Sequence, residues 1–246
     1  MGSLSKAEIK LIRSLHRKKG RKEHGLFILE GEKLLQEALK AGIPFEHLLL
    51  RSDAPLMTQF PNATMVSEKE MEQVSAMRSG SPALAVVKQV ETGWRQPSSD
   101  NSRILALDGI ADPGNLGTIL RSADWFGVTH ILLSDDCVDL YNPKTVQATM
   151  GSLFHISWQV GSLPQLLKQY QSQDHKVWVT HLKGGALTAL ASDQDPAILV
   201  IGSESHGVRP EVEACADAHL KIPGKGDAES LNASIAASIV LYEWMR

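Results

Sequence analysis

Ile222-Pro-Gly-Lys-Gly-Asp-Ala-Glu-Ser-Leu-Asn-Ala-Ser-Ile-Ala-Ala-Ser-Ile-Val-Leu-Tyr-Glu-Trp244 is the stretch on which the reading of this chain turns. Its order is a strand end, a glycine-rich loop, then a helix reaching almost to the last residue. Gly224 and Gly226 open backbone angles closed to other residues and let main-chain N–H groups approach a ligand. Ser230, Asn232 and Ser234 put short polar side chains at the helix start, where they satisfy orphan N–H donors. Leu231, Ile235, Ile239 and Tyr242 recur on one face at helical spacing. Ala233, Ala236, Ala237 and Ser238 keep the helix slim, so a neighbouring backbone can come close. On spacing alone this is a C-terminal amphipathic helix with an N-cap.

Upstream, from Ile104 onward, strands and helices alternate regularly. Ile104–Ile110 is a near-continuous apolar strand, as expected when both faces of a sheet are covered. Asp112-Pro-Gly-Asn-Leu-Gly117 turns into a helix through about Phe126. Leu116, Ile119, Leu120 and Ala123 form its buried stripe, and Gly127 closes it. Further strands are expected at Thr129–Leu133, Phe154–Trp158, Lys176–Thr180, Ala197–Gly202 and His219–Ile222. Helices are expected at Lys144–Met150, Leu163–Gln171 and near Glu211–Ala214. Such alternation predicts a parallel α/β sheet covered on both faces.

The N-terminal third is a smaller α/β pattern. It runs from a basic helix, Lys6 to Arg17, through strand Leu26–Leu29 and helix Lys33–Lys40 to strand Phe45–Leu50. Ser67–Met77 reads as a helix and Ala83–Val90 as a β-rich run. Glu91–Arg103 carries Gly93, Pro97, Ser98, Ser99, Asp100, Asn101 and Ser102 without apolar periodicity and reads as a linker. The expected division is therefore residues 1–98 for the first domain with its linker, and 99–246 for the second.

Composition narrows the class. In 246 residues with 43% hydrophobic content, the longest apolar runs are only strand length, so no membrane span is expected. The N-terminus has no apolar h-region. Cys137 and Cys215 form no framework or Cys-x-x-Cys pair, which points to a reduced, cytoplasmic setting. No His/Cys cluster has metal-ligand spacing, so no metal is expected. The net charge of −3 is unevenly placed. Lys6, Lys10, Arg13, Arg17, Lys18, Lys19, Arg21 and Lys22 stand against Glu8 and Glu23, so residues 1–25 carry +6 and the remainder −9. A basic end of this kind is either a solvated helix or a footprint of phosphate contact.

Three motifs carry chemistry. The first is Asn115-Leu-Gly-Thr-Ile-Leu-Arg-Ser-Ala-Asp-Trp-Phe-Gly127, in which Asn115 can cap the helix and Arg121 lies opposite the leucine stripe. The second is Leu199-Val-Ile-Gly-Ser-Glu-Ser-His-Gly-Val208, a strand running into a tight loop between Gly202 and Gly207. That edge of an open α/β sheet is where ligands bind. The third is the terminal stretch. In this order they resemble the motifs of the SpoU-like (TrmH-type) RNA 2′-O-ribose methyltransferases of the SPOUT superfamily, although Ser205 stands where that family usually has glycine. Arg17-Lys-Lys-Gly-Arg…Gly25-Leu-Phe-Ile-Leu-Glu-Gly-Glu32 resembles the substrate-binding domain preceding many such catalytic domains.

The resemblance implies a deep C-terminal trefoil knot in the parallel-sheet domain. Chain-connection rules alone would not suggest one. It implies a ribosomal-protein-like N-terminal domain that captures RNA, here through Arg17, Lys18, Lys19, Arg21 and Lys22. S-adenosylmethionine would lie against Gly202, Glu204, Gly207, Ile222, Pro223, Leu231 and Asn232. Arg121 takes the place of the family's proposed catalytic arginine, supported by Asn115, with Glu204, Ser230 and Asn232 completing the site. A homodimer is implied, with Arg121 reaching the partner's site and the substrate RNA. Ribosomal RNA is favoured over transfer RNA.

Two rivals stay open. Gly109, Gly114, Gly117 and Asp135 echo a Rossmann cofactor fold, although their spacing departs from Gly-x-Gly-x-x-Gly. A ribosome-assembly protein retaining an inactive methyltransferase fold would bind RNA without turnover.

Overall fold

The computed structural model describes residues 4–60, 63–77, 80–90, 94–95, 97, 102–187 and 195–246. The expected boundary near residue 98 and most of the expected linker lie outside the described residues. The chain forms two compact units, and they do not follow a single cut. One holds residues 1–91 and 139–154, the other residues 92–138 and 155–246.

In the first unit, helix Lys6–Leu15 starts at Ser5, whose side chain and that of Glu8 each bond the other's backbone N–H. This reciprocal box satisfies two orphan donors at once. A second helix, Lys18–His24, follows after a turn so tight that a Cβ on Gly20 would lie 2.2 Å from the Ser14 carbonyl oxygen. Strands β1 (Leu26–Glu30), β2 (His47–Arg51), β3 (Thr64–Val66) and β4 (Ala83–Lys88) lie in the order β1-β4-β2-β3. Only β2 and β3 run parallel. Ile12, Leu15, Ile28, Leu49, Met71 and Leu84 share its core.

The helix expected over Ser67–Met77 covers only Glu68–Val74. Glu30 is buried, and its carboxylate takes hydrogen bonds from the Ser75 hydroxyl and the Ala76 N–H, at 3.0 Å for the latter. A buried carboxylate left without donors is costly, and Ser75 turns to extended backbone.

Residues 139–154 belong to this unit although they fall within the expected second domain. Helix Pro143–Thr149 packs against β1. The Phe27 and Tyr141 rings lie 4.5 Å apart between centroids. The Tyr141 hydroxyl accepts from the Val90 N–H at 2.9 Å and donates to its carbonyl at 3.1 Å.

The second unit contains β5 (Arg103–Asp108), β6 (His130–Ser134), β7 (Ser157–Gly161), β8 (Lys176–Ala186), β9 (Ala197–Gly202) and β10 (Ala218–Lys221). They form one sheet in the order β10-β8-β9-β5-β6-β7, with every neighbouring pair parallel. Ile104, Leu105, Ala106 and Leu107 on central β5 are all fully buried, so both sheet faces are covered. Truncating such a leucine to alanine costs about 2–5 kcal/mol. Strand β7 begins three residues later than expected because Ser152–Phe154 forms a 3₁₀ turn first.

Helix Ala233–Met245 is apolar on two sides, and the structure buries only one of them. Ala233, Ala237, Val240, Leu241 and Trp244 face the core, whereas Leu231, Ile235, Ile239 and Tyr242 are exposed. Among the described residues no helix is long and apolar enough to cross a membrane, and no group of three or more His, Cys, Asp or Glu could hold a metal ion. Cys137 and Cys215 are free and buried.

Candidate active site

The site is built at the carboxyl edge of the second unit's sheet, where β5, β9 and β10 each give way to a loop. After β5, Asp112 caps helix Pro113–Trp125 by accepting the Asn115 N–H at 2.8 Å. That leaves the Asn115 side chain in the first helical turn. Its amide nitrogen donates to Glu204 Oε1 in the loop after β9. Its amide oxygen accepts from Asn232 Nδ2, at the end of the loop after β10, at 3.0 Å. Asn232 Oδ1 in turn caps the final helix, accepting from the Ser234 and Ile235 N–H groups at 3.0 and 3.4 Å. One chain of side-chain hydrogen bonds therefore joins three loops. An asparagine suits its centre because it donates to a carboxylate and accepts from an amide simultaneously.

The loop after β9 is a closed turn. Ser203 and Gly207 exchange main-chain hydrogen bonds at 3.0 and 2.9 Å. A Cβ on Gly202 would sit 2.1 Å from the Gly207 carbonyl carbon, so only glycine allows the closure. The loop after β10 is open and exposed from Pro223 to Asn232. A Cβ on Gly224 or Gly226 would meet nothing within 4 Å. Together they offer a small-residue cradle with accessible main-chain polar groups and one carboxylate, which fits a nucleoside-bearing cofactor.

Comparison with known proteins gives the family. The model of the SpoU rRNA Methylase family matches residues 102–242, and that of the MRM3-like substrate binding domain matches residues 6–85. The chain is 30% identical to the Bacillus subtilis 23S rRNA (guanosine(2553)-2′-O)-methyltransferase RlmP, over 98% of this chain and 96% of that one. The chain belongs to the SpoU rRNA methylase family.

Among solved members, an AdoMet-bound rRNA methyltransferase from Sinorhizobium meliloti superposes with a TM-score of 0.87 at 30% identity, covering 99% of this chain and 97% of that one. A TrmH-family RNA methyltransferase from Porphyromonas gingivalis does so at 0.84 and 34%, covering 98% of each. The fold is thus that of SPOUT methyltransferases with an N-terminal substrate-binding domain, and the SpoU family uses S-adenosylmethionine.

The family motifs are brought together unevenly. Asn115, Glu204 and Asn232 meet directly. Ser230 is exposed on the open loop, as are Pro223 and Leu231, with Ile222 half-buried. Arg121 is exposed, and among the described residues no hydrogen bond or ion pair engages it. It lies six residues beyond Asn115, about 9 Å along the helix. Thr118, Arg121 and Trp125 share its outer face, with Trp125 83% exposed. Ser205 is accommodated because its backbone does not have positive φ, and its hydroxyl pairs with His206 Nδ1 at 2.7 Å.

Arg21 is a correction. It was expected among the RNA-binding cations, but its side chain is 2% exposed. Its guanidinium donates twice to Asp139, at 2.9 and 2.6 Å, and to the Leu15 carbonyl at 2.9 Å. Arg17, Lys18, Lys19 and Lys22 are exposed around it. Sequence reasoning also missed Asp108 and Arg209, which pair at the base of the Ser203–Gly207 turn. The available signal was an acid ending an otherwise apolar strand.

Proposed function

We propose that this chain transfers a methyl group from S-adenosylmethionine to a ribose 2′-hydroxyl of ribosomal RNA, working as a cytoplasmic homodimer whose second unit carries the family's deep trefoil knot. The observation that carries the reading is the Asn115 junction, where one side chain from each of the three family motifs meets. The relatives' RNA specificity supports ribosomal RNA as the substrate.

S-adenosylmethionine supplies an electrophilic methyl on a sulfonium sulfur. A ribose hydroxyl is a poor nucleophile at neutral pH. As its oxygen bonds to that carbon, the carbon–sulfur bond breaks to leave a neutral thioether and the hydroxyl proton passes to solvent water, a transfer that a positioned general base typically speeds by ~10²–10⁴-fold. Arg121 brings a planar, cationic guanidinium fork. Its role is to grip a substrate phosphate through paired, charge-assisted hydrogen bonds and so orient the ribose. Glu204 and Asn232 hold the two cofactor loops through Asn115, and Ser230 faces the reacting hydroxyl.

The dimer reading rests on the exposed apolar strip of Leu231, Ile235, Ile239 and Tyr242. Ser122 and Ser238 hydrogen-bond at 2.8 Å, so the final helix lies beside the Arg121 helix. Phe126 and Tyr242 pack edge to face with centroids 6.1 Å apart. A second copy covering this strip places Arg121 against the partner's cofactor loops. In the first unit, Arg17, Lys18, Lys19 and Lys22 hold RNA phosphates. The test is label transfer from S-adenosylmethionine to ribosomal RNA by wild type and Arg121→Ala. The variant should bind cofactor normally and lose transfer. Full activity in the variant removes Arg121 from the mechanism.

A further inference from the structure

Asp108 ends β5 directly opposite Gly202 in the sheet register, and its carboxylate is fully buried. One oxygen accepts the Arg209 main-chain N–H at 2.8 Å. The other accepts Arg209 Nε and an NH2 nitrogen at 2.9 and 2.5 Å. The same guanidinium lies 3.5 Å from Asp136 in the loop after β6 and 3.7 Å from Glu211. Arg209 therefore spans the ends of β9, β5 and β6. The side-chain hydrogen bonds to Asp108, with the charge of that carboxylate, push the guanidinium pKa up from its ordinary value.

Arg209 sits two residues beyond Gly207, where the closed turn after β9 returns to the sheet. The turn is pinned at Glu204 by Asn115 and at its exit by Arg209. Among the described residues, every charged group within ion-pair reach of this guanidinium is a carboxylate of the same unit. Unlike Arg121, it is already engaged.

We propose that Arg209 is a positioning residue that sets the S-adenosylmethionine loop through Asp108. This rests on the cofactor placement above. A planar fork that bonds one carboxylate twice, while its own backbone N–H bonds the same group, fixes both the direction and the height of the loop exit. Lysine keeps the charge but loses the fork.

The experiment measures S-adenosylmethionine Kd and the single-turnover methylation rate at saturating cofactor for wild type, Arg209→Gln and Arg209→Lys. Glutamine should weaken cofactor binding ~10–100-fold, the range expected for lost hydrogen bonds to a charged group. The saturated rate and RNA affinity should stay within a few-fold of wild type. Lysine should recover part of the loss. The double variant Arg209→Gln with Asp108→Asn should add little to Arg209→Gln, since partners in one interaction are not additive.

A role in stability alone would lower the active fraction and hence the rate, leaving Kd unchanged, and would overturn the proposal. Wild-type Kd in folded Arg209→Lys does so as well, and that variant decides the matter if glutamine prevents folding. If wild type binds no S-adenosylmethionine, the cofactor reading itself falls and this inference with it.

Discussion

Asn232 Nδ2 donates to Asn115 Oδ1 at 3.0 Å, tying the loop after β10 to the helix that follows β5. Asn115 gives its own amide hydrogen to Glu204, so the three residues act as one unit. Asn115→Asp should weaken S-adenosylmethionine binding by ~10–100-fold, because it removes the donor and sets a second carboxylate beside Glu204. Calorimetric titration of the variant checks this. Asn232→Ala should show a similar loss together with about 1 kcal/mol of destabilisation, because it also removes the cap of the final helix.

In the proposed homodimer Arg121 of one copy serves the site built around Asn115 in the other. At S-adenosylmethionine well below the Kd of Asn232→Ala, that variant and Arg121→Ala should each show little methyl transfer alone. Mixed and re-associated, they should regain methyl transfer, because the hybrid dimer holds one site with Arg121 from one chain and Asn232 from the other. A charge at Ile239, which is 38% exposed on the outer strip, should leave folded monomers without activity, visible by sedimentation. Absence of recovery in the mixture would place Arg121 in its own chain's site.

The basic end divides into surface and core. Lys18→Ala, Lys19→Ala and Lys22→Ala combined should flatten the dependence of log K for RNA on log salt by roughly 2–3, at about 0.7–0.9 for each phosphate no longer neutralised. Arg21→Ala should instead cost about 1.5–3 kcal/mol of stability in denaturant unfolding, because it removes charge-assisted hydrogen bonds to Asp139, which is 19% exposed and keeps its bond from the Tyr141 N–H.

Burial pushes the Tyr141 hydroxyl up to about 12, despite the opposing effect of its hydrogen bond with Val90. The unfolded chain ionises this group first, from its ordinary value of 10.0. The stabilisation is therefore complete below that value and is lost as pH rises towards about 12. Urea unfolding of wild type against Tyr141→Phe between these limits should show the wild-type stability falling more steeply.

The motif residues were legible through their resemblance to a known family, since spacing alone offered only a capped helix and a tight loop, and Arg121 lies within helix Pro113–Trp125 like any exposed arginine. Spacing placed Asn115 at a helix start and Glu204 in a turn. The burial of Arg21 was not legible, since its partner Asp139 lies 118 residues away and Arg21 differs in no local respect from its basic neighbours. Periodicity likewise found the strip Leu231, Ile235, Ile239 and Tyr242 but could not say which side meets the core. The face that meets the core carries Ala233 and Ala237 together with Val240, Leu241 and Trp244, and is as apolar as the strip left outside. Asp108 and Arg209, 101 residues apart, carry meaning only once β5 and β9 are neighbours.

The central claim is ribose methylation, and the chemistry of RNA in alkali tests it most directly. Labelled S-adenosylmethionine and this protein would be incubated with RNA from cells lacking it, and the product digested in alkali. Ordinary linkages break because the 2′-hydroxyl attacks the adjacent phosphate, so a 2′-O-methylated linkage survives. Label in alkali-resistant dinucleotides derived from ribosomal RNA is the predicted result. Label in mononucleotides would mean base methylation and contradict the account. No label, with no S-adenosylmethionine binding, would leave an RNA-binding protein on an inactive methyltransferase fold.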